Sequence, residues 1–194
     1  KYRGAAPINW AVIRGEKETG VTIMYMAEEL DAGDIIAQET THIDPEETVE
    51  NVHDRLADLG GRLLVQTVAE LAAGTARRIP QDHSQATLAP MLSRELSPID
   101  WSRSGRDIHN QIRGLVPWPA TSTDIFSAEP VKVFKSTLLD QGTDKQPGTV
   151  VAAGKEGIDV ACGDGRLLRI LELQAPGGKR MSAASYLAGH PIHL

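Results

Sequence analysis

The chain has 194 residues, 41% of them hydrophobic and 24% charged, and a net charge of −6. That composition suits one or two modest folded domains and excludes a wholly disordered chain, and no apolar run is long enough to cross a bilayer. The charge excludes a uniformly basic nucleic-acid binder: residues 1–94 hold 9 Lys and Arg against 15 Asp and Glu, and residues 95–194 hold 11 of each sign, so an RNA partner would meet a local basic patch at most.

In chain order, the first residues read as irregular, and Ile8 to Arg14 as a short helix ending near Gly15. Apolar runs at 21–27 and 35–41 predict two strands, with Leu30-Asp31-Ala32-Gly33-Asp34 as the loop between them. On residues alone this loop has two readings. It is an ordinary chain reversal, or it is the seat of a proton-transfer carboxylate, anchored at both ends by strands and turned sharply at Gly33. On residues alone Asp31 is the first candidate for that role, and Asp34 has a competing claim. Asp44-Pro45-Glu46-Glu47 reads as a helix start. Val49, Val52, Leu56, Leu59, Leu63 and Leu64 then recur at helical spacing as one buried face. Gly60-Gly61 are expected to kink or divide this helix and Gly74 to end it.

From Arg77 to Ser97 the chain carries Pro80 and Pro90 with little apolar periodicity, and Pro98 follows, which predicts an extended linker. A helix over 102–115 follows, with Ile108, Ile112 and Leu115 inward and Pro117-Trp118-Pro119 stopping it. The period then changes to two. Runs at 131–139, 149–153, 157–162 and 167–173 predict short strands separated by Gly-rich turns, and a small antiparallel barrel is the economical closure. A last helix is expected at 182–187. The single cysteine, Cys162, closes no internal disulfide, in keeping with a reducing compartment, and its apolar run reads as a buried strand rather than a reactive thiol.

Three blocks, Lys1-Tyr2-Arg3-Gly4-Ala5-Ala6-Pro7-Ile8-Asn9-Trp10-Ala11, Thr19-Gly20-Val21-Thr22-Ile23-Met24 and the Asp31 loop, resemble the methionyl-tRNA formyltransferase family in order and spacing. Ile99-Asp100-Trp101, Ile112-Arg113 and Pro117-Trp118-Pro119 resemble that family's C-terminal domain, so the resemblance covers nearly the whole chain. It implies the C-terminal part of a Rossmann-like α/β formyltransferase domain over 1–78, a linker over 79–97, and an OB-like antiparallel β-barrel that binds tRNA over 98–194. It also implies that an α/β half carrying an Asn-x-His pair and a Ser-Leu-Leu-Pro segment belongs ahead of Lys1, so the chain is expected to be a fragment, inactive alone.

The activity implied by the resemblance is transfer of a formyl group from 10-formyltetrahydrofolate to the amino group of methionyl initiator tRNA, in the cytoplasm, during translation initiation. The implied enzyme is a monomer and uses no metal. In that chemistry an amine attacks a formamide-like carbon, so a proton must leave the nucleophile and charge must be stabilised on the carbonyl oxygen. By resemblance Asp31 relays protons and orients the family's His, while that His and the Asn steady the oxyanion. The backbone from Met26 to Leu30, including Glu28 and Glu29, is expected by the same resemblance to help line the pterin pocket, and Tyr2, Arg3 and Gly4 to contact substrate at its mouth. The alternatives are another folate-dependent formyl enzyme, acting on an amino sugar or hydrolysing the donor, and a binding module that grips folate or RNA without turnover.

The remaining polar features carry less. Lys179-Arg180, after a Pro-Gly-Gly turn, are the expected tRNA phosphate contacts. Lys132 and Lys135, three apart on a strand, are expected on opposite faces. His190 and His193 read as tail rather than as a metal pair, and Trp10, Trp101 and Trp118 as core anchors.

Overall fold

The computed structural model describes residues 1–192, so His193 of the expected tail pair lies outside the described residues. The chain forms two compact units, one comprising Lys1–Val12 and Glu16–Leu92, the other Ile13–Gly15 and the chain from Ser93 on.

The first unit is built on a two-stranded antiparallel hairpin, β2 (Glu18–Met24) and β3 (Ile35–His42), packed on a long helix, α2 (Val49–Ala72). Ahead of the hairpin lie β1 (Arg3–Gly4) and α1 (Pro7–Ile13). The helix starts four residues after the expected proline. Asp44 to Glu47 instead form a turn, in which Asp44 Oδ1 accepts from the Glu46 N–H, and the cap is Thr48, whose N–H and hydroxyl both donate to Asn51 Oδ1. Arg55 then fastens that turn to the hairpin by donating to both Glu47 oxygens, to Thr41 Oγ1 at 2.9 Å and to the His42 carbonyl at 2.6 Å.

Gly60 and Gly61 do not divide α2, which runs unbroken through both. Each glycine costs about 1 kcal/mol. Leu56, Leu59 and Leu63 on either side are buried, and each contributes roughly 1.5–3 kcal/mol. Leu64 does not join that stripe and is 52% exposed, because one residue beyond Leu63 turns the helix by about 100° and the two strands beneath are narrow.

The stretch expected to be an extended linker is tied into the first unit as far as Leu92. Ile79 exchanges both backbone hydrogen bonds with Ile35, at 2.8 and 2.9 Å. Further on, β4 (Leu88–Ala89) lies parallel to β1, with Arg3 opposite Leu88 and Gly4 opposite Ala89. Local periodicity is silent about both pairings because each is made across dozens of residues.

The second unit is an antiparallel sheet covered by two short helices, α3 (Gly105–Gly114) and α4 (Ala183–Gly189). Its strands are β5 (Thr121–Thr123), β6 (Val131–Gly142), β7 (Val150–Gly154), β8 (Gly157–Ala161), β9 (Arg166–Gln174) and β10 (Met181–Ser182). They run in the order β5-β6-β9-β8-β7, with β10 also on β9. No ladder among the described residues joins β7 to β5, so the expected barrel does not close. Instead Ile108 and Ile112 of α3, with Ala183 and Tyr186 of α4, pack with Val133, Ile158, Leu168 and Ile170 of the sheet in one core. The helices bury the apolar face that closure would otherwise have buried. Both helices carry serine caps: Ser104 accepts from the Asp107 N–H and Ser182 from the Ser185 N–H, each at 3.1 Å.

Candidate functional site

The loop joining β2 to β3 is closed by the Tyr25 N–H donating to the Asp34 carbonyl at 2.9 Å. Gly33 passes so near the other limb that a Cβ there would lie 1.7 Å from the Tyr25 carbonyl oxygen, so only glycine fits. Asp31 stands at φ +51, in the left-handed region, and its Oδ2 accepts the Gly4 N–H at 2.9 Å. Gly4, at φ +131, is itself pressed on β4: an added Cβ would sit 2.6 Å from the Ala89 carbonyl oxygen.

The two aspartates of the loop are in different positions. Asp34 takes the Arg78 Nε–H at 2.7 Å, and the Arg78 guanidinium lies 4.4 Å from the centre of the Tyr25 ring. That carboxylate is a brace for the loop. Asp31 lines a cleft of about 500 Å³, with Tyr2, Arg3, Gly4, Met24 and Gln81 among the other walls.

Tyr2 is anchored by its hydroxyl to Glu16 Oε1 at 2.6 Å and by its N–H to Thr87 Oγ1 at 2.9 Å. Arg3 donates from one terminal nitrogen to Gln81 Oε1 at 2.9 Å, and the same nitrogen lies 3.1 Å from His83 Nδ1. Its Nε is buried and has no hydrogen-bond partner among the described residues. Tyr2, Arg3, Gly4 and Asp31 are therefore brought together on one cleft. Met26, Glu28, Glu29 and Leu30 are not: all four are exposed, Met26 at 96%, and none lines that cleft.

Sequence reasoning passed over Gln81, His83 and Arg78, three residues of the proline-bearing stretch. Their neighbours lie 44 to 80 residues away, and an isolated polar residue after a proline carries no local signal of such contacts.

In the second unit, Lys132 and Lys135 share a face, contrary to the expectation from spacing. A bulge at Phe134 adds one residue between Val133 and Lys135, so Lys132 pairs with Gln174 and Lys135 with Glu172, and both lysines are exposed. Arg180 lies beside them, 2.7 Å from Glu172 Oε2 and 4.8 Å from the centre of the Phe134 ring. Lys179 is exposed on the preceding turn.

Trp101 is buried, its Nε1–H donating to Thr123 Oγ1 at 3.0 Å, whereas Trp118, expected in the core, is 50% exposed between its two prolines. Trp10 is partly buried and donates to the Pro90 carbonyl at 2.8 Å. Burial, and after it the negative charge of Asp164, pushes the Cys162 thiol up to about 12. Among the described residues, no group of three or more His, Cys, Asp or Glu is placed to hold a metal ion, and no helix is long and apolar enough to cross a membrane.

Sequence comparison matches residues 1–68 to the family described as "Formyl transferase" and residues 91–191 to "Formyl transferase, C-terminal domain". Curated relatives named methionyl-tRNA formyltransferase include that of Trichlorobacter lovleyi, 48% identical over 194 residues, and that of Moorella thermoacetica, 50% identical over 192. These alignments take in 100% and 99% of this chain but 60% and 61% of the relatives, so the chain spans about three-fifths of their length.

Similar solved folds include HypX from Aquifex aeolicus in complex with tetrahydrofolic acid, with a TM-score of 0.73, 20% identity, and coverage of 97% of this chain and 33% of that one. Another is an N-formyltransferase from Helicobacter canadensis in complex with folinic acid and dTDP-3-aminofucose, with a TM-score of 0.69, 20% identity, and coverage of 88% and 61%.

Proposed function

This chain belongs to the formyl transferase family, and from that premise we propose that it is part of a methionyl-tRNA formyltransferase. The whole protein would move a formyl group from 10-formyltetrahydrofolate to the amino group of methionyl initiator tRNA, as a cytoplasmic monomer in translation initiation. Identities of 48% and 50% to relatives of that name favour this acceptor.

The observation that carries the reading is the placement of Asp31 on the wall of a roughly 500 Å³ cleft with its carboxylate on the Gly4 N–H. A cleft of that size is in the range of small-molecule sites, and the orphaned Nε–H of Arg3 suits a donor that carries carboxylates. Asp31 would hold and pass the proton lost by the attacking amine, working with the His and Asn that the family carries in the portion this chain does not span. Tyr2, Arg3 and Gly4 would bind substrate there.

Residues 1–78 are then the C-terminal part of the catalytic domain and 98–194 the tRNA-binding domain, an OB-like module although its strand ladder is open. Lys179 and Arg180 would meet phosphates, with Lys132 and Lys135 on the neighbouring face extending that patch.

The test is formyl transfer by the full-length protein with methionyl-tRNA and, in parallel, with an amino-sugar nucleotide. Asp31→Asn is expected to lower kcat by roughly 10²–10⁴-fold and to leave KM for the donor within about threefold. Preference for the sugar nucleotide would transfer the assignment to another folate-dependent formyl enzyme. Full turnover by Asp31→Asn would remove the proposed role of this carboxylate. The 194-residue chain alone is expected to bind without turnover.

A further inference from the structure

The backbone around Asp31 is held from one side by a single side chain. Gln81 Nε2 donates to the Asp31 carbonyl at 2.9 Å and to the Gly33 carbonyl at 2.6 Å, while Gln81 Oε1 accepts from Arg3. The amide has only one orientation that satisfies this set, because two carbonyls need donors and a guanidinium needs an acceptor. Gln81 is partly buried and is fixed in turn by the exchange of hydrogen bonds between Ile79 and Ile35, two residues upstream of it.

A non-glycine residue at φ +51 persists only where its surroundings over-determine it. Here the determinants are two: the Gly4 N–H on the carboxylate, and the Gln81 amide on the carbonyls of Asp31 and Gly33. The first fixes where the acid points. The second fixes the turn from which it points, and through Gln81 Oε1 it ties that turn to the Arg3 guanidinium on the same cleft.

We propose that Gln81 is a positioning residue for Asp31, holding the left-handed turn and the Arg3 guanidinium in one arrangement. The proposal rests on the formyl-transfer reading above for its kinetic consequence and on the hydrogen-bond geometry alone for its structural one. Gln81 makes no chemical step of its own. Its loss lets the carboxylate wander from the position set by Gly4, and displacements on the order of 1 Å at a reacting group cost up to roughly a hundredfold in rate.

The experiment uses the full-length protein with Gln81→Leu and Gln81→Glu, alone and combined with Asp31→Asn. Leu is near-isosteric and makes none of the three hydrogen bonds; Glu keeps the acceptor for Arg3 and loses both donors. Both single variants are expected to lower kcat by about ten- to a hundredfold, with donor KM changed less than about threefold, and to speed exchange of the Gly4 amide, since the carboxylate that protects it is no longer held.

In the Asp31→Asn background, Gln81→Leu is expected to cause no further loss beyond about twofold, because it acts through Asp31. Independent, multiplicative losses would overturn the proposal, as would unchanged Gly4 exchange, or a fall with Glu and none with Leu, which would make the effect one of added charge. Absence of formyl transfer by the parent would instead overturn the functional reading, and the Gly4 exchange measurement would still decide the structural claim.

Discussion

Gly33→Ala is the sharpest perturbation the Asp31 loop offers. The new methyl would be built 1.7 Å from the Tyr25 carbonyl oxygen and 2.7 Å from its carbon, and the obstacle is backbone, which cannot rotate aside as a side chain would. Relief requires the two limbs to separate, which endangers the Tyr25 N–H to Asp34 bond at 2.9 Å and the Gln81 bond to the Gly33 carbonyl at 2.6 Å. Overpacking costs about 1–3 kcal/mol and each lost hydrogen bond about 1 kcal/mol, so the loop should be destabilised by roughly 2–5 kcal/mol. At 1.36 kcal/mol per factor of ten, that range corresponds to at least about a thirtyfold faster exchange of the Tyr25 amide, read by hydrogen–deuterium exchange. Gly61→Ala is the contrasting substitution. A Cβ there meets nothing within 4 Å, so the helix should gain about 0.5–1 kcal/mol with Tyr25 exchange unchanged. Protection of Tyr25 within threefold of the parent in Gly33→Ala would refute the argument that contact geometry, rather than turn preference, reserves position 33 for glycine.

Further outcomes follow from the rest of the molecule. Arg55, donating to both oxygens of Glu47, holds that carboxyl below its ordinary value of 4.5. A depressed folded value adds stability above the unfolded value that is lost as pH falls, so the melting-temperature gap between the parent and Glu47→Gln should narrow between pH 5 and pH 3. Cys162 has the opposite sign. Its raised thiol leaves stability untouched below about pH 9 and lowers it above, by up to about 1.4 kcal/mol per pH unit, as the unfolded chain alone loses the proton. Accordingly iodoacetamide at pH 8 should label Cys162 only after denaturation, as mass spectrometry would show. Replacing Lys132 and Lys135 together by Glu should weaken tRNA binding across sequences and flatten the salt dependence of log K by about 2, measured by filter binding at graded salt.

The parts of the fold legible from one dimension are those whose stabilising contacts are local or periodic. Helix α2 was readable because burial repeats every three or four residues through Val52, Leu56, Leu59 and Leu63, and the antiparallel strands of the second unit because short apolar runs are separated by Gly-rich turns. Where a contact is set by a neighbour distant in sequence, the local pattern carries no sign of it. The start of α2 moved from Asp44 to Thr48 because Asn51 and Arg55 secure the intervening turn as a turn. Lys132 and Lys135 changed sides because one inserted residue, Phe134, shifts the parity of a strand, and alternation has no means of announcing an insertion. The barrel remained open because two amphipathic helices cover the sheet, and a strand pattern is the same whether a sheet or a helix lies over it.

The site itself follows the same division. Asp31 and Gly33 could be placed in a short loop between strands because an acid and a glycine there form a local motif, but the contacts that fix that loop are non-local. Gly4 lies 27 residues away from Asp31, Arg78 44 residues from Asp34, and Gln81 50 residues from Asp31. The proline-bearing stretch looked like a tether because its side chains show no period, yet a segment that braces another chain by hydrogen bonds needs none. Its residues answer to carbonyls and carboxylates fixed elsewhere, so their spacing follows the geometry of the loop they hold. An aperiodic polar run next to a tight loop is therefore compatible with a strap as well as with a spacer. The two differ in one measurable respect: the backbone amide of Ile79, bonded to Ile35 at 2.9 Å, should exchange as slowly as an amide of the β2–β3 ladder, whereas in a spacer it would exchange at the rate of free chain.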